Sequence, residues 1–173
     1  MTLSKEHQLK VKINEDLIHR YYDVLDKETI INLKDFIKSN VFYEAYPIFN
    51  DSRVSKFYET ESYKQILNTV TNTVKTITNK SVELKASWLV NQNGLSSKYV
   101  DKDTFHVHKD EYTCVYYLQN QCREFGTRLE NGIVLEGTEN SMVIFKGKIS
   151  HSVPYVPVEL LKKSPRITMV FDF

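Results

Sequence analysis

The feature that most restricts how this chain can fold is the run of short β-rich segments filling its second half. From residue 81 onward, stretches rich in Val, Ile, Thr, Tyr and Phe alternate with polar turns, at 82–91, 104–109, 112–119, 126–135, 141–146, 151–156 and 165–172. Seven short strands at such close spacing predict a sandwich or barrel. The first half is patterned differently. Asp26 is a good N-cap for a helix over 27–39, in which Ile30, Leu33 and Ile37 recur at helical spacing. A second helix over 60–78 places Tyr63, Ile66, Leu67, Val70, Val74 and Ile77 on one face, with Thr, Asn and Lys opposite. Both stripes must be buried, and the simplest arrangement packs the helices on the outside of one sheet. The expected class is α+β, mainly β. An aromatic loop with Phe42, Tyr43, Tyr46 and Phe49 separates the helices, and the polar stretch from Gln92 to Asp103 is long enough to act as a lid.

A chain of 173 residues suits one domain, here a helical support over 1–80 and a β core over 81–173. A net charge of +1 gives no reason to expect a broad nucleic-acid or membrane footprint. Two cysteines, Cys114 and Cys122, do not make a disulfide framework. Met1 to Lys12 is polar and lacks the apolar core of a secretory signal, and no apolar run approaches membrane-spanning length. These features fit a reduced, cytoplasmic setting. Oligomeric state does not follow from them.

Of the five histidines, His106, His108 and His151 lie in the β-rich half. His108 and Asp110 form an H-x-D pair, and residues two apart on a strand point to the same face. His151 opens a later strand. If the two strands are neighbours, two imidazoles and a carboxylate converge and leave three positions of an octahedron open, as non-haem iron(II) requires. On the last strand Arg166, Thr168 and Val170 share the inward face. A buried Arg is expensive without a partner, and a dicarboxylate co-substrate would supply one through a forked contact. Thr168 can add a hydroxyl to that carboxylate. Thr113, Val115 and Tyr117 share a face of the strand after the H-x-D pair, and the Tyr117 phenol can reach the same group.

The order H-x-D, YTCVYYL, F-G-T-R-L, a hydrophobic strand, G-x-x-x-H and R-I-T resembles the 2-oxoglutarate oxygenase superfamily, and within it the prolyl-hydroxylase-like enzymes. The resemblance covers roughly residues 84 to 173. It implies a double-stranded β-helix, or jelly roll, with helices on one side. It implies His108, Asp110 and His151 as iron ligands and Arg166 as the base holding the distal carboxylate of 2-oxoglutarate, with Tyr117 reaching it too. Fe(II), 2-oxoglutarate and O₂ are the implied cofactors, hydroxylation the implied reaction, and a peptidyl residue, first of all proline, or a small molecule the implied substrate. The chain departs from the family pattern in two places. Phe125-Gly126-Thr127 stands where two glycines commonly precede the Thr, and the spacing from His151 to Arg166 is lengthened by PYVPVELLKK. Many relatives also carry a co-substrate-contacting Tyr on the strand where this chain has Asn91.

Other readings stay open. His106 and His108 share a face, so a set of His106, His108 and His151 would resemble a cupin, a divalent-metal protein or isomerase without 2-oxoglutarate; a cupin has no need of Arg166. On the oxygenase order His106 is a neighbour of the metal site or a surface residue. A catalytically silent jelly-roll module is a third reading, against which the intact ligand positions argue. By parity Cys114 and Tyr116 belong to the core, Trp88 is expected to be core, Glu111 solvent-facing, and Arg128 either at the mouth of the site or on the surface.

Overall fold

The computed structural model of the chain describes residues 18–40, 45–47, 57, 59–92 and 105–173. In chain order the elements are β1 (Ile18–Tyr22), α1 (Lys27–Asn40), β2 (Ala45–Pro47), α2 (Glu61–Thr78), β3 (Ala86–Gln92), β4 (Tyr112–Gln119), β5 (Thr127–Leu129), β6 (Val134–Leu135), β7 (Ser141–Lys146), β8 (His151–Ser152), α3 (Val158–Lys163) and β9 (Arg166–Asp172). A six-stranded antiparallel sheet runs β1-β7-β4-β9-β3-β2, and a three-stranded sheet runs β6-β5-β8. A single bridge between His106 and His151 extends the small sheet past β8.

The layering follows from strand parity. Cys114, Tyr116 and Leu118 of β4, Met142 and Ile144 of β7, and Ile167, Met169 and Phe171 of β9 pack with Leu33 and Ile37 of α1 and Tyr63, Ile66, Val70 and Val74 of α2. The alternate residues Val115, Tyr117, Val143 and Phe145 face the other way and pack with Leu129 and Leu135 of the small sheet. The result is three layers, helices on large sheet on small sheet, with a core between each pair.

Both helices start where capping chemistry dictates. The Asp26 carboxylate accepts the Thr29 N–H at 2.9 Å and the Thr29 hydroxyl at 2.7 Å, and the Gln65 amide of α2 donates to it at 2.9 Å. The cap residue of α1 therefore also ties the two helices together. These bonds, the Thr29 N–H first, hold the Asp26 carboxyl down at about 2. The Thr60 hydroxyl accepts the Tyr63 N–H and begins α2, while Asn79 at φ 52° ends it.

The expected helices and the strands at 112–119, 141–146 and 165–172 correspond closely to α1, α2, β4, β7 and β9. Of the expected strand 104–109, the described residues 105–109 keep the bridge at His106, 126–135 is broken into β5 and β6 by a turn through Gly132 at φ 85°, and 151–156 keeps two residues. PYVPVELLKK is not plain loop, because it contains α3. The first half also contributes β1 and β2 to the large sheet. Residues 93–104, which carry the proposed lid, lie outside the described residues, as do Phe42, Tyr43 and Phe49. Among the described residues no helix is long and apolar enough to cross a membrane.

Candidate functional site

A cavity of about 640 Å³ opens between the two sheets. Its large-sheet wall is built by alternate residues of β3 and β9: Ala86, Trp88, Val90 and Gln92 from one, Arg166, Thr168, Val170 and Asp172 from the other. The small sheet contributes Thr127 and His151, and the segment before β4 contributes His106, His108 and Asp110.

One end of the cavity is a histidine cluster. The backbone bridge puts His106 opposite His151, with paired N–H···O bonds of 2.9 and 3.0 Å. The His108 N–H donates to the Gly147 carbonyl at 2.8 Å. Gly147 allows this approach, because a Cβ there would overlap the Asp110 carbonyl oxygen. The three rings stand 4.5 to 5.2 Å apart between centroids, and one ligand nitrogen from each lies within 4.8 Å of the other two. The edge of Phe145 packs on the His151 ring at 4.8 Å.

In two of the three rings Nδ1 is already engaged. His151 Nδ1 donates to the Ile149 carbonyl at 2.9 Å, and His108 Nδ1 donates to the Asp172 carboxylate at 2.6 Å. Each bond commits Nδ1–H and leaves Nε2 as the lone-pair donor. Burial pushes the His151 imidazole down to about 4, and the neighbouring His106 and His108 press in the same direction. His151 is therefore neutral at physiological pH, the state in which it can bind a metal. The donor set fits a first-row divalent cation, since imidazole suits iron, zinc, nickel and copper.

The other end holds a cation. Arg166 is 2% exposed, and among the described residues its hydrogen bonds go to neutral oxygens. Nε donates to the Phe125 carbonyl at 2.7 Å, Nη2 to the Gly126 carbonyl at 3.1 Å, and Nη1 to Gln92 Oε1 at 3.1 Å and Thr168 Oγ1 at 3.5 Å. No carboxylate pairs with it among the described residues. Burial lowers its pKa from the ordinary arginine value. A guanidinium buried on neutral dipoles and lining a cavity is a site for an anion. Gly126 is required here: a Cβ would overlap the Leu135 carbonyl oxygen.

The structure thus brings His108, His151, Arg166 and Thr168 to one cavity. Asp110 lines the same cavity, half-buried, but its carboxylate is not among the grouped donor atoms, whereas His106 is. Tyr117 is fully buried, with its hydroxyl 2.7 Å from Thr127 Oγ1 and its ring 5.7 Å from the Arg166 Cζ. Thr127, the residue Tyr117 touches, is the one that faces the cavity. Trp88, expected in the core, stands half-buried in the cavity wall. Asn91 has the opposite parity to that wall and is buried on the other face of β3. Arg128 is half-buried and is not part of the lining. Glu111 is solvent-facing and paired with Lys146 at 3.0 Å. Two residues escaped the sequence reading. Asp172 carries the same parity as Arg166, Thr168 and Val170, and extending that alternation by one step would have found it. Thr127 was present in the F-G-T-R-L motif.

No protein-family model matches the chain, and no curated protein does. Solved structures do. A non-heme α-ketoglutarate-dependent epimerase, SnoN from nogalamycin biosynthesis, superposes with a TM-score of 0.65 at 9% identity, over 95% of this chain and 81% of that one. A prolyl hydroxylase from Trichoplax adhaerens, in complex with a hypoxia-inducible-factor peptide fragment, gives 0.63 at 13% identity, over 99% and 93%. The viral collagen prolyl hydroxylase of Paramecium bursaria Chlorella virus-1, in its 2-oxoglutarate complex, gives 0.61 at 10% identity, over 90% and 94%. At these identities the common property is the fold. This chain is similar in fold to 2-oxoglutarate-dependent oxygenases, prolyl hydroxylases among them.

Proposed function

We propose that the chain is an Fe(II)- and 2-oxoglutarate-dependent oxygenase built on a double-stranded β-helix. The observation that carries this reading is the pairing, in one cavity, of a histidine cluster with a buried Arg166 that meets no carboxylate among the described residues. A metal site alone would serve many proteins; the distant guanidinium asks for a ligand with a second carboxylate. When bound, the iron with 2-oxoglutarate and O₂ supplies oxidative decarboxylation coupled to oxidation of an unactivated C–H bond.

The chain's own residues then have definite tasks. His108 and His151 present Nε2 to the metal. The third donor favoured by proximity is His106, and the one favoured by sequence order is Asp110. Metal affinity separates them: His106→Ala is expected to weaken binding more than Asp110→Ala. Arg166 holds the distal carboxylate, helped by the hydroxyls of Thr168 and Thr127, and Tyr117 orients the Thr127 hydroxyl. Val90, Val115 and Val170 give the intervening wall an apolar surface that excludes water. A peptidyl residue is the first substrate class to test, supported by the peptide complex of the Trichoplax neighbour, and a small molecule the second. Hydroxylation is the first outcome to test; the epimerase among the neighbours is a reason to identify products without assuming it.

Trp88 offers a direct test, being the chain's only tryptophan and part of the cavity wall. In protein loaded with Mn(II), 2-oxoglutarate is expected to change Trp88 fluorescence saturably, with matching heat in calorimetry, and succinate is expected to bind more weakly. Neither fluorescence change nor heat at millimolar 2-oxoglutarate would remove the oxygenase reading. The second reading would then lead: a cupin-like metal protein without 2-oxoglutarate, which the grouping of three histidines favours.

A further inference from the structure

Building on the proposed metal site, we propose that Asp172 is a positioning residue that orients His108 toward the metal and supplies the negative charge that the histidine donors lack. Three imidazoles bring no formal charge to a dication. Among the described residues the buried carboxylate is Asp172, 3% exposed, on the face of β9 that lines the cavity. One of its oxygens accepts the His108 Nδ1–H at 2.6 Å, and the other accepts the Thr113 hydroxyl at 2.8 Å. Thr113 is fully buried and directly opposite Asp172 in the β4–β9 register, so a central ladder of the large sheet fixes the carboxylate. Its backbone is pinned as well, the Lys85 N–H donating to the Asp172 carbonyl at 2.8 Å.

Two side chains, His108 and Thr113, hold this carboxylate. Among the described residues no Lys or Arg pairs with it, and His108 is its one basic partner. A buried carboxylate without a cation is unfavourable. A metal held through His108 would supply the missing cation, and the carboxylate would in turn raise the basicity of Nε2 and hold the ring's orientation. Carboxylate–histidine–metal triads do this in other metalloproteins. Thr113 is the anchor at the end of the relay, and Ala86, opposite Asp172 on β3, is small where the carboxylate turns into the cavity.

The test uses Co(II), with affinity measured by chelator competition and the site's visible spectrum read directly. It compares wild type, Asp172→Asn, Asp172→Ala, Thr113→Val and His108→Ala. Asp172→Ala is expected to lower Co(II) affinity about 10- to 100-fold. Asp172→Asn, which keeps the shape and one acceptor, should lose less but shift the spectrum, and Thr113→Val should lose least. In a His108→Ala background Asp172→Asn should have no further effect, because Asp172 acts through that ring. Should Asp172→Ala not fold, Asp172→Asn and the double variant carry the test. Wild-type affinity and an unchanged spectrum in folded Asp172→Asn, or additive losses with His108→Ala, would overturn the positioning role while leaving the metal site intact. Failure of the wild type to bind Co(II) would overturn both.

Discussion

The two faces of β9 live in different worlds. Ile167, Met169 and Phe171 lie under the helices in a mainly apolar core, while Arg166, Thr168, Val170 and Asp172 line the cavity. One seven-residue strand thus carries a core face and a cavity face, with Arg166 at one end and Asp172 at the other. A slip of one residue in register would exchange the two sets. The register is held because β9 is paired on both sides, to β4 and to β3. The lesson is that substitutions on the two faces should separate cleanly into losses of folding and losses of binding.

The largest effect is expected on the helix face. Phe171→Ala removes a fully buried ring and should destabilise the fold by about 3–5 kcal/mol in denaturant unfolding. Protein that remains folded should still bind 2-oxoglutarate. On the other face Arg166→Ala should raise the 2-oxoglutarate Kd about 30- to 1,000-fold, the usual penalty for removing one partner of a buried charged contact. It should lower the melting temperature of the metal-free protein less than Phe171→Ala does. Equal losses of stability from both would break the division between the faces.

The third effect is pH-dependent. His151 is held near 4 in the folded chain and titrates near 6.5 when unfolded, so between these values the unfolded state binds a proton that the folded state does not. Stability of the metal-free protein therefore falls as pH drops from about 6.5 through about 4, by an amount on the order of 3 kcal/mol from this group. His151→Asn should flatten that part of the profile, and an unchanged profile would show that burial of the ring is not what sets its titration. The smallest effect belongs to the helix layer: Thr60→Ala, which removes the cap of α2, should destabilise by about 1 kcal/mol with no change in ligand affinity.

What was legible in the sequence follows the same division. The helices were readable because their apolar residues recur at 3.6-residue spacing with a cap in front, and β4, β7 and β9 because β-branched and aromatic residues are dense and bounded by turns. His108 was found from the H-x-D pair, His151 from its place at the start of a later strand, and Arg166 and Thr168 from their shared face on the last strand, and the structure brings all four to one cavity. Less was readable where a strand is held by one or two backbone bonds. His106 is joined to His151 by a single bridge, so sequence pattern does not reveal which ring that bridge brings to the cluster. Tyr117 was correctly assigned to the inner face, but parity does not give reach, and its hydroxyl ends on Thr127. β1 and β2 were missed because they are edge strands, and only their partners in the large sheet define them.

The most direct test of the central claim is an anaerobic titration of iron(II)-loaded protein with 2-oxoglutarate, following the weak metal-to-ligand charge-transfer band in the visible, with His108→Ala and Arg166→Ala alongside. A band that is absent in the His108 variant and needs far more 2-oxoglutarate in the Arg166 variant is the predicted result. No band in folded, iron-loaded wild-type protein would contradict the assignment of this cavity to iron and 2-oxoglutarate.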